Sequence, residues 1–386
     1  MTNRIKIEKL VYEGKGMGLL DGKPVFVPYV AAGETVEIEI TRRHRQYLEA
    51  KLVKVVEAAP ERTDPPCPYY GECGGCQWQH LRYETQLEWK QKILEKTLKR
   101  VAKIENPKVL ATIPSPKTFG WRSRVTLHGN ERGLLGFYRP NSYSVVDIEK
   151  CLIAEERVNE QLTELRKNRI TKRDYEINVS GKKGFTQVNP EQNENLKNLL
   201  KSWAEKLPHE TIVELFCGSG NLTEVLSPLA KNCIAVDSDR TAISSTVHGE
   251  HLKTVHGEHL KTVHGEHLKT VHGEHLKTVH GEPVEPCNPQ FLCTDSIKFF
   301  SQYKPEKPLD LLVLDPPRDG AAGVVEGVIK TKPKNILYLS CNPETLARDL
   351  KFLKDFAGYQ LVQTQPIDMF PQSYHIESLN LITSII

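Results

Sequence analysis

The 386-residue chain has no apolar run approaching the roughly 20 residues of a membrane-spanning helix, so no membrane partner is expected. Its amino end, "MTNRIKIEKLVYEGKG", lacks the apolar core of a secretory signal. It also lacks a large net charge, which is only +3 at pH 7. The first two absences imply a cytoplasmic protein, where thiols stay reduced. Its nine cysteines then suggest metal ligation or catalysis rather than disulfides. A hydrophobic share of 39% is enough for a core, and the length suits two or three domains.

The small net charge hides an uneven distribution. Residues 81–140 carry thirteen Lys/Arg against five Asp/Glu, a surface that suits phosphates. In the same region Arg122, Arg124, Arg132 and Arg139 are interleaved with Trp121, Phe137 and Tyr138. Arginines with aromatics suit RNA, which is held by phosphate contacts and base stacking.

Hydrophobic periodicity divides the chain. Residues 1–58 read as five short strands with Gly-containing turns, a small barrel of the OB type, closed by the Pro-rich hinge "AAPERTDPP". Residues 59–184 hold a cysteine-rich segment, a helix with Leu87, Ile93, Leu94, Leu98 and Val101 on one stripe, and a second β-like stretch. From 185 to 386 strands and helices alternate as in a doubly wound α/β sheet. Within it "TVHGEHLK" occurs four times in tandem from Thr246 to Lys277, followed by a degenerate copy. The 246–286 segment reads as an insertion from tandem duplication, because each unit is too short and polar to bury a face.

Three constellations carry chemistry. The first is "ELFCGSGNLT", where a strand runs into a glycine turn (Gly218, Gly220) and a helix. About twenty residues on, Asp237 ends the next strand, placed to hold ribose hydroxyls. With "LDPPRDG" after the fourth strand, "GSGN" favours S-adenosylmethionine over NAD. The second is Cys67, Cys73 and Cys76 in the spacing C-x5-C-x2-C, with Cys151 far downstream; four thiolates suit zinc or an iron–sulfur cluster.

The third is Asp315, Cys341 and Glu377. "NILYLS" reads as a buried strand, Asn342 as an N-cap and Pro343 as the first helical residue. Cys341 thus lies at a strand's carboxyl edge beside a helix N-terminus, where a lowered thiol pKa is expected. The last two strands read as a hairpin through "FPQSYH", which returns His375 and Glu377 to that same edge. A thiol, a carboxylate and a methyl donor then meet in one crevice. Uracil C5 is a poor nucleophile until a thiolate adds to C6, and a base must afterwards remove the C5 proton. Cysteine and carboxylate supply both roles. Amine methylation would need neither.

On "FTQVNP", "ELFCGSGN", "LDPPRDG", "SCNPETLARD", "DMFPQSYHIE", the barrel and the cysteine set, the chain resembles the RNA uracil-5-methyltransferase family over nearly its whole length. It resembles especially the iron–sulfur 23S ribosomal RNA (uracil-5-)-methyltransferases. The resemblance implies a carboxyl-terminal Rossmann-like class I methyltransferase sheet, a TRAM-type amino-terminal barrel and a central RNA-binding domain. It implies a 4Fe–4S cluster on Cys67, Cys73, Cys76 and Cys151. It implies an S-adenosylmethionine site lined by Gln187, Phe216, Asn221, Asp237, Asp295 and Asp315. It makes Cys341 the nucleophile, Glu377 the base, a flipped-out uridine the target, and RNA the partner of a monomer. Transfer RNA is the alternative substrate, and a non-catalytic RNA-binding protein the alternative class. Two departures stand out. The octapeptide array lies between Asp237 and Asp295, and Asp237 occupies a position where many relatives place glutamate.

Overall fold

The computed structural model describes residues 2–168, 170, 173–181, 187–244, 287–304 and 309–385. The octapeptide array, and Phe185 and Thr186 of "FTQVNP", lie outside the described residues.

Strands β1 (Asn3–Leu10), β2 (Gly16–Leu20), β3 (Lys23–Val27), β4 (Thr35–Arg43) and β5 (Leu48–Glu57) close into a barrel in the order β1-β2-β3-β5-β4. Period-two alternation sends Ile5, Ile7, Val25, Val27, Val36 and Ile38 into its centre. The hinge is fastened to the barrel by Arg62, whose guanidinium binds the fully buried Glu34 carboxylate and donates to Tyr29 O at 2.9 Å.

Helix α1 (Tyr83–Thr97) follows the cysteine segment and continues as a π turn over Leu98–Ala102. Of its predicted stripe, Ile93, Leu94 and Leu98 are buried, and Leu87 and Val101 are half-buried. Strands β6 (Arg124–Gly129), β7 (Leu135–Tyr138), β8 (Val145–Asp147) and β9 (Asp174–Asn178) form a second sheet in the order β8-β7-β6-β9. Helix α2 (Glu156–Arg166) supplies Val158 and Leu162 to the core of that sheet.

After α3 (Pro190–Ala204) come β10 (Thr211–Leu215), α4 (Thr223–Leu226), β11 (Asn232–Asp237), α5 (Arg240–Ser244), β12 (Gln290–Cys293) and α6 (Ser296–Gln302). They are followed by β13 (Leu311–Leu314), α7 (Val325–Thr331), β14 (Asn335–Ser340), α8 (Pro343–Ala357), β15 (Tyr359–Ile367) and β16 (Glu377–Ser384). The seven-stranded sheet has the order β12-β11-β10-β13-β14-β16-β15. Its first five strands are parallel, and β16 runs antiparallel between β14 and β15. The central strands are buried on both faces because helices cover both sides. Val213, Leu312 and Ile336 enter one apolar cluster, while Ile212, Leu311 and Leu337 enter the opposite one. Strands β11 and β12, on either side of the array, pair in unbroken parallel register from Ile234–Gln290 to Asp237–Cys293. Among the described residues no helix is long and apolar enough to cross a membrane.

The turn between β15 and β16 is held from outside its own sheet. Gln77 N and Trp78 N both donate to Gln372 O at 3.0 Å, and Gln86 exchanges hydrogen bonds with the Gln372 backbone and side chain. Gln372 itself has φ 68°, a left-handed conformation that those bonds hold in place. Lys90 of α1, fully buried, reaches the equally buried Asp368 at 2.5 Å and Phe370 O at 3.1 Å. Replacing Lys90 by methionine strands a buried carboxylate, so Lys90→Met should destabilise the protein by about 3–5 kcal/mol. Adding Asp368→Asn should recover much of that loss. Denaturant unfolding of both variants checks it; a Lys90→Met protein within about 1 kcal/mol of wild type would show that this pair does not hold the turn.

Candidate active site

Strand β10 ends in a turn with two left-handed glycines, Gly218 at φ 54° and Gly220 at φ 82°. A Cβ on Gly220 would press on the Phe291 ring at 3.2 Å, so this position needs glycine twice over. Phe216 just before them is also left-handed, at φ 64°. A bulky residue there is strained.

The turn is held by the predicted acid: Gly218 N donates to Asp237 Oδ2 at 2.8 Å, and Asp239 N to Oδ1 at 2.8 Å. Asn221 is paired with Asn193 of α3 through two reciprocal amide bonds of 2.9 and 3.0 Å. Asp295 caps α6, accepting from Ile297 N and Lys298 N through Oδ1. Gln187 is half-buried, two residues before the α3 N-cap Asn189. Asn221, Asp237 and Asp295 lie at the carboxyl ends of β10, β11 and β12, where open α/β sheets bind ligands, while no contact among the described residues places Gln187 with them.

Glu214 was not singled out from the sequence, although a carboxyl inside an otherwise apolar strand was a signal. It is fully buried, accepts from the Thr223 hydroxyl at 2.6 Å, and its Oε1 has no partner among the described residues. Burial, with smaller contributions from Asp315 and Asp237, pushes its carboxyl up to about 8.

Asp315, Cys341 and Glu377 meet on the adjoining edge. Asp315 follows β13, Cys341 follows β14, and Glu377 opens β16, where Ser378 pairs with Ser340. Asn342 caps α8 as expected, accepting from Glu344 N at 3.1 Å, with Pro343 at the first helical position. The expected drop in thiol pKa does not occur. Burial pushes Cys341 up to about 12, the Glu377 charge adds to this, and Arg318 acts in the opposite sense. In a half-enclosed site facing two carboxylates, desolvation outweighs the helix N-terminus. Glu377 is 4% exposed, and burial followed by the Asp315 charge drives its carboxyl well above the usual range. Burial alone lifts Asp315 to about 7. His375 precedes β16 rather than sitting on it, and burial, then Arg318, Lys90 and Arg122, lowers it to about 3. It is a neutral imidazole at physiological pH.

The four predicted cysteine ligands converge. Cys73 lies within electrostatic reach of Cys151 and Cys67, and Cys76 within reach of Cys151, Cys73 and Cys67. Burial first, and these neighbours next, push Cys73 up to about 11 and Cys76 to about 12. Arg122 faces this group too, through Cys151, Cys76 and Cys73. Arg122 and Trp121 therefore do not belong to a solvated RNA-gripping face: Trp121 is 3% exposed and packs edge-on against Phe370. Among the described residues, however, no three His, Cys, Asp or Glu side chains stand close enough to hold a metal ion as they are placed. The donor set itself, four enclosed thiols beside a guanidinium, has the softness and charge balance that an anionic iron–sulfur cluster needs.

A seven-stranded sheet with one antiparallel strand next to the edge, a glycine turn after the first strand and an acid after the second define the class I methyltransferase fold. Comparison with known proteins agrees. The TRAM domain model matches residues 2–53, and the tRNA (uracil-5-)-methyltransferase model matches residues 298–384. An uncharacterized RNA methyltransferase of Aquifex aeolicus is 33% identical, with 98% of each chain covered. One from Halalkalibacterium halodurans is 28% identical over 97% of this chain and 95% of its own. The crystal structure of a Pyrococcus abyssi tRNA (uracil-54, C5)-methyltransferase superposes with a TM-score of 0.66 at 22% identity, covering 98% of this chain and 99% of its own, a likeness of fold. The chain belongs to the RNA methyltransferase family, and it is an RNA (uracil-5-)-methyltransferase within it.

Proposed function

We propose that the protein methylates C5 of one uridine in RNA, most closely matching a 23S ribosomal RNA substrate, through a covalent Cys341 intermediate. The observation that carries this reading is the convergence of Cys341, Glu377 and Asp315 beside the glycine turn. S-adenosylmethionine, when bound along Gly218, Gly220 and Asp237, supplies an electrophilic methyl group. Cys341 Sγ adds to C6 of the uracil as its thiol proton passes to the uracil O4, with Arg318 favouring the thiolate, and C5 gains the nucleophilic character of an enol. After C5 takes the methyl, Glu377 removes the C5 proton and the thiolate leaves from C6. The raised pKa of Glu377 makes it a stronger base than a solvated carboxylate, which suits a carbon acid. Enclosure of the site keeps water from the adduct.

The 23S reading rests on the barrel together with the cysteine set. A transfer RNA substrate is the second reading, supported by the family model matched at residues 298–384 and by the substrate of the Pyrococcus abyssi enzyme. Mass mapping of 5-methyluridine in ribosomal and transfer RNA from a deletion strain separates them. Loss confined to transfer RNA would reject the ribosomal reading, and loss from neither would reject both.

Cys67, Cys73, Cys76 and Cys151 would hold a 4Fe–4S cluster that ties the hinge after the barrel to the central sheet. Protein purified without oxygen should be brown, with about four irons per chain. Cys76→Ser should lose most of that iron and visible absorbance. Stoichiometric zinc in a colourless protein would overturn the assignment.

A further inference from the structure

The amino-terminal barrel reaches the proposed reaction site. The turn between β1 and β2, Tyr12 to Gly14, lies against the β15–β16 turn. The Tyr12 and Tyr374 rings meet edge-on, 5.6 Å between centroids and 88° between planes. Trp78, wholly buried, donates its indole N–H to Gly14 O at 3.1 Å. Gly14 has φ 80°, and a Cβ there would meet Tyr374 Cβ and Gln77 Cβ at 3.2 Å. The barrel turn is therefore wedged in place rather than resting on the surface. Tyr12 stays half-buried, and its hydroxyl lies near enough to Cys341 and Arg318 to feel both. From Tyr374 the aromatic wall continues to His375 at 4.3 Å and from His375 to Phe370 at 5.4 Å.

We propose that Tyr12, carried by the barrel, is a positioning residue for the flipped uracil, forming with Tyr374 the aromatic wall against which the base lies while Cys341 attacks. This rests on the covalent uridine mechanism proposed above. Attack requires C6 within about 3–3.5 Å of Cys341 Sγ, and Tyr374 stands three residues before Glu377, so the Tyr12–Tyr374 pair borders the space the base must enter. Flipped bases are gripped by stacking as well as by edge contacts. The barrel then completes the pocket as well as contributing RNA affinity, which explains why its turn is pinned by Trp78 and Gln77.

The experiment uses the full-length, iron-loaded protein and in vitro transcripts of 23S ribosomal RNA and of transfer RNA. Tyr12→Ala should lower kcat for methyl transfer at saturating transcript by roughly ten- to a hundredfold, the range for loss of one base–aromatic stack. S-adenosylmethionine affinity and melting temperature should stay at wild-type values. Tyr12→Phe, which keeps the ring, should restore kcat. Tyr12→Leu, which fills the space without a π face, should be as slow as the alanine variant and guards against a folding defect. A Tyr12→Ala protein with wild-type kcat, whether or not KM for the transcript rises, would overturn the inference. So would a phenylalanine variant as slow as alanine, or a leucine variant as fast as wild type. Wild-type protein inactive on both transcripts would instead remove the proposed function, and this inference with it.

Discussion

Cys341→Ala protein should bind S-adenosylmethionine like the wild type and transfer no measurable methyl to RNA. The two halves of this result come from different parts of the sheet edge. The proposed cofactor contacts lie along β10 to β12, at Gly218, Gly220 and Asp237, whereas Cys341 follows β14. Removing Sγ leaves that glycine turn and its Asp237 bonds untouched. It removes the only step that makes C5 nucleophilic, so the expected loss is roughly ten-thousandfold or more, the scale seen when an enzyme loses its nucleophile. Equilibrium dialysis for binding and single-turnover transfer for chemistry are the two measurements. A variant that keeps more than a few per cent of wild-type turnover would remove Cys341 from the reaction.

Glu377→Gln should give the opposite phenotype, a reaction that starts and cannot finish. The amide is nearly isosteric with the carboxyl, and its cost in packing is small at a position 4% exposed. It removes a charge that otherwise raises the Cys341 thiol, so thiol attack should become no harder. Methyl transfer to C5 can proceed, but the C5 proton stays and the Cys341–C6 bond persists. With labelled transcript, denaturing electrophoresis should reveal a slow band that disappears in the Cys341→Ala/Glu377→Gln double variant. Normal turnover with no such band would assign the proton to another base. Asp315 is the nearest rival, because it sits in the same enclosure with a carboxyl lifted to about 7.

Much of the fold was legible because its signals are local. The apolar run "NILYLS", the capping pair Asn342 and Pro343, and the glycine turn after β10 each declare themselves within a few residues. The hairpin of β15 and β16 was readable too, and it is what brings Glu377 back to Cys341. What the sequence hid depends on contacts between distant segments. Asn193 of α3 pairs with Asn221 in the turn after β10, and Lys90 buries its charge against Asp368 far along the chain. Tyr12 meets Tyr374, beside the site, from a different domain, with no spacing rule to announce it. Arg122 looked like one of several RNA-facing arginines, but it lies within electrostatic reach of Cys151, Cys76 and Cys73, segments distant in sequence. The thiol pKa was misjudged for a related reason. The helix N-terminus is visible in sequence, but the enclosure that outweighs it is visible only in three dimensions.

The most direct test of the account follows the hydrogen on C5. RNA transcribed with uridine deuterated at C5 is incubated with wild-type protein and S-adenosylmethionine, digested to nucleosides and weighed by mass spectrometry. The account predicts 5-methyluridine in which the C5 deuterium has been lost to solvent, because Glu377 must remove it before Cys341 departs. A methylated uridine that still carries its deuterium would place the methyl elsewhere on the nucleoside and contradict the Cys341–Glu377 mechanism.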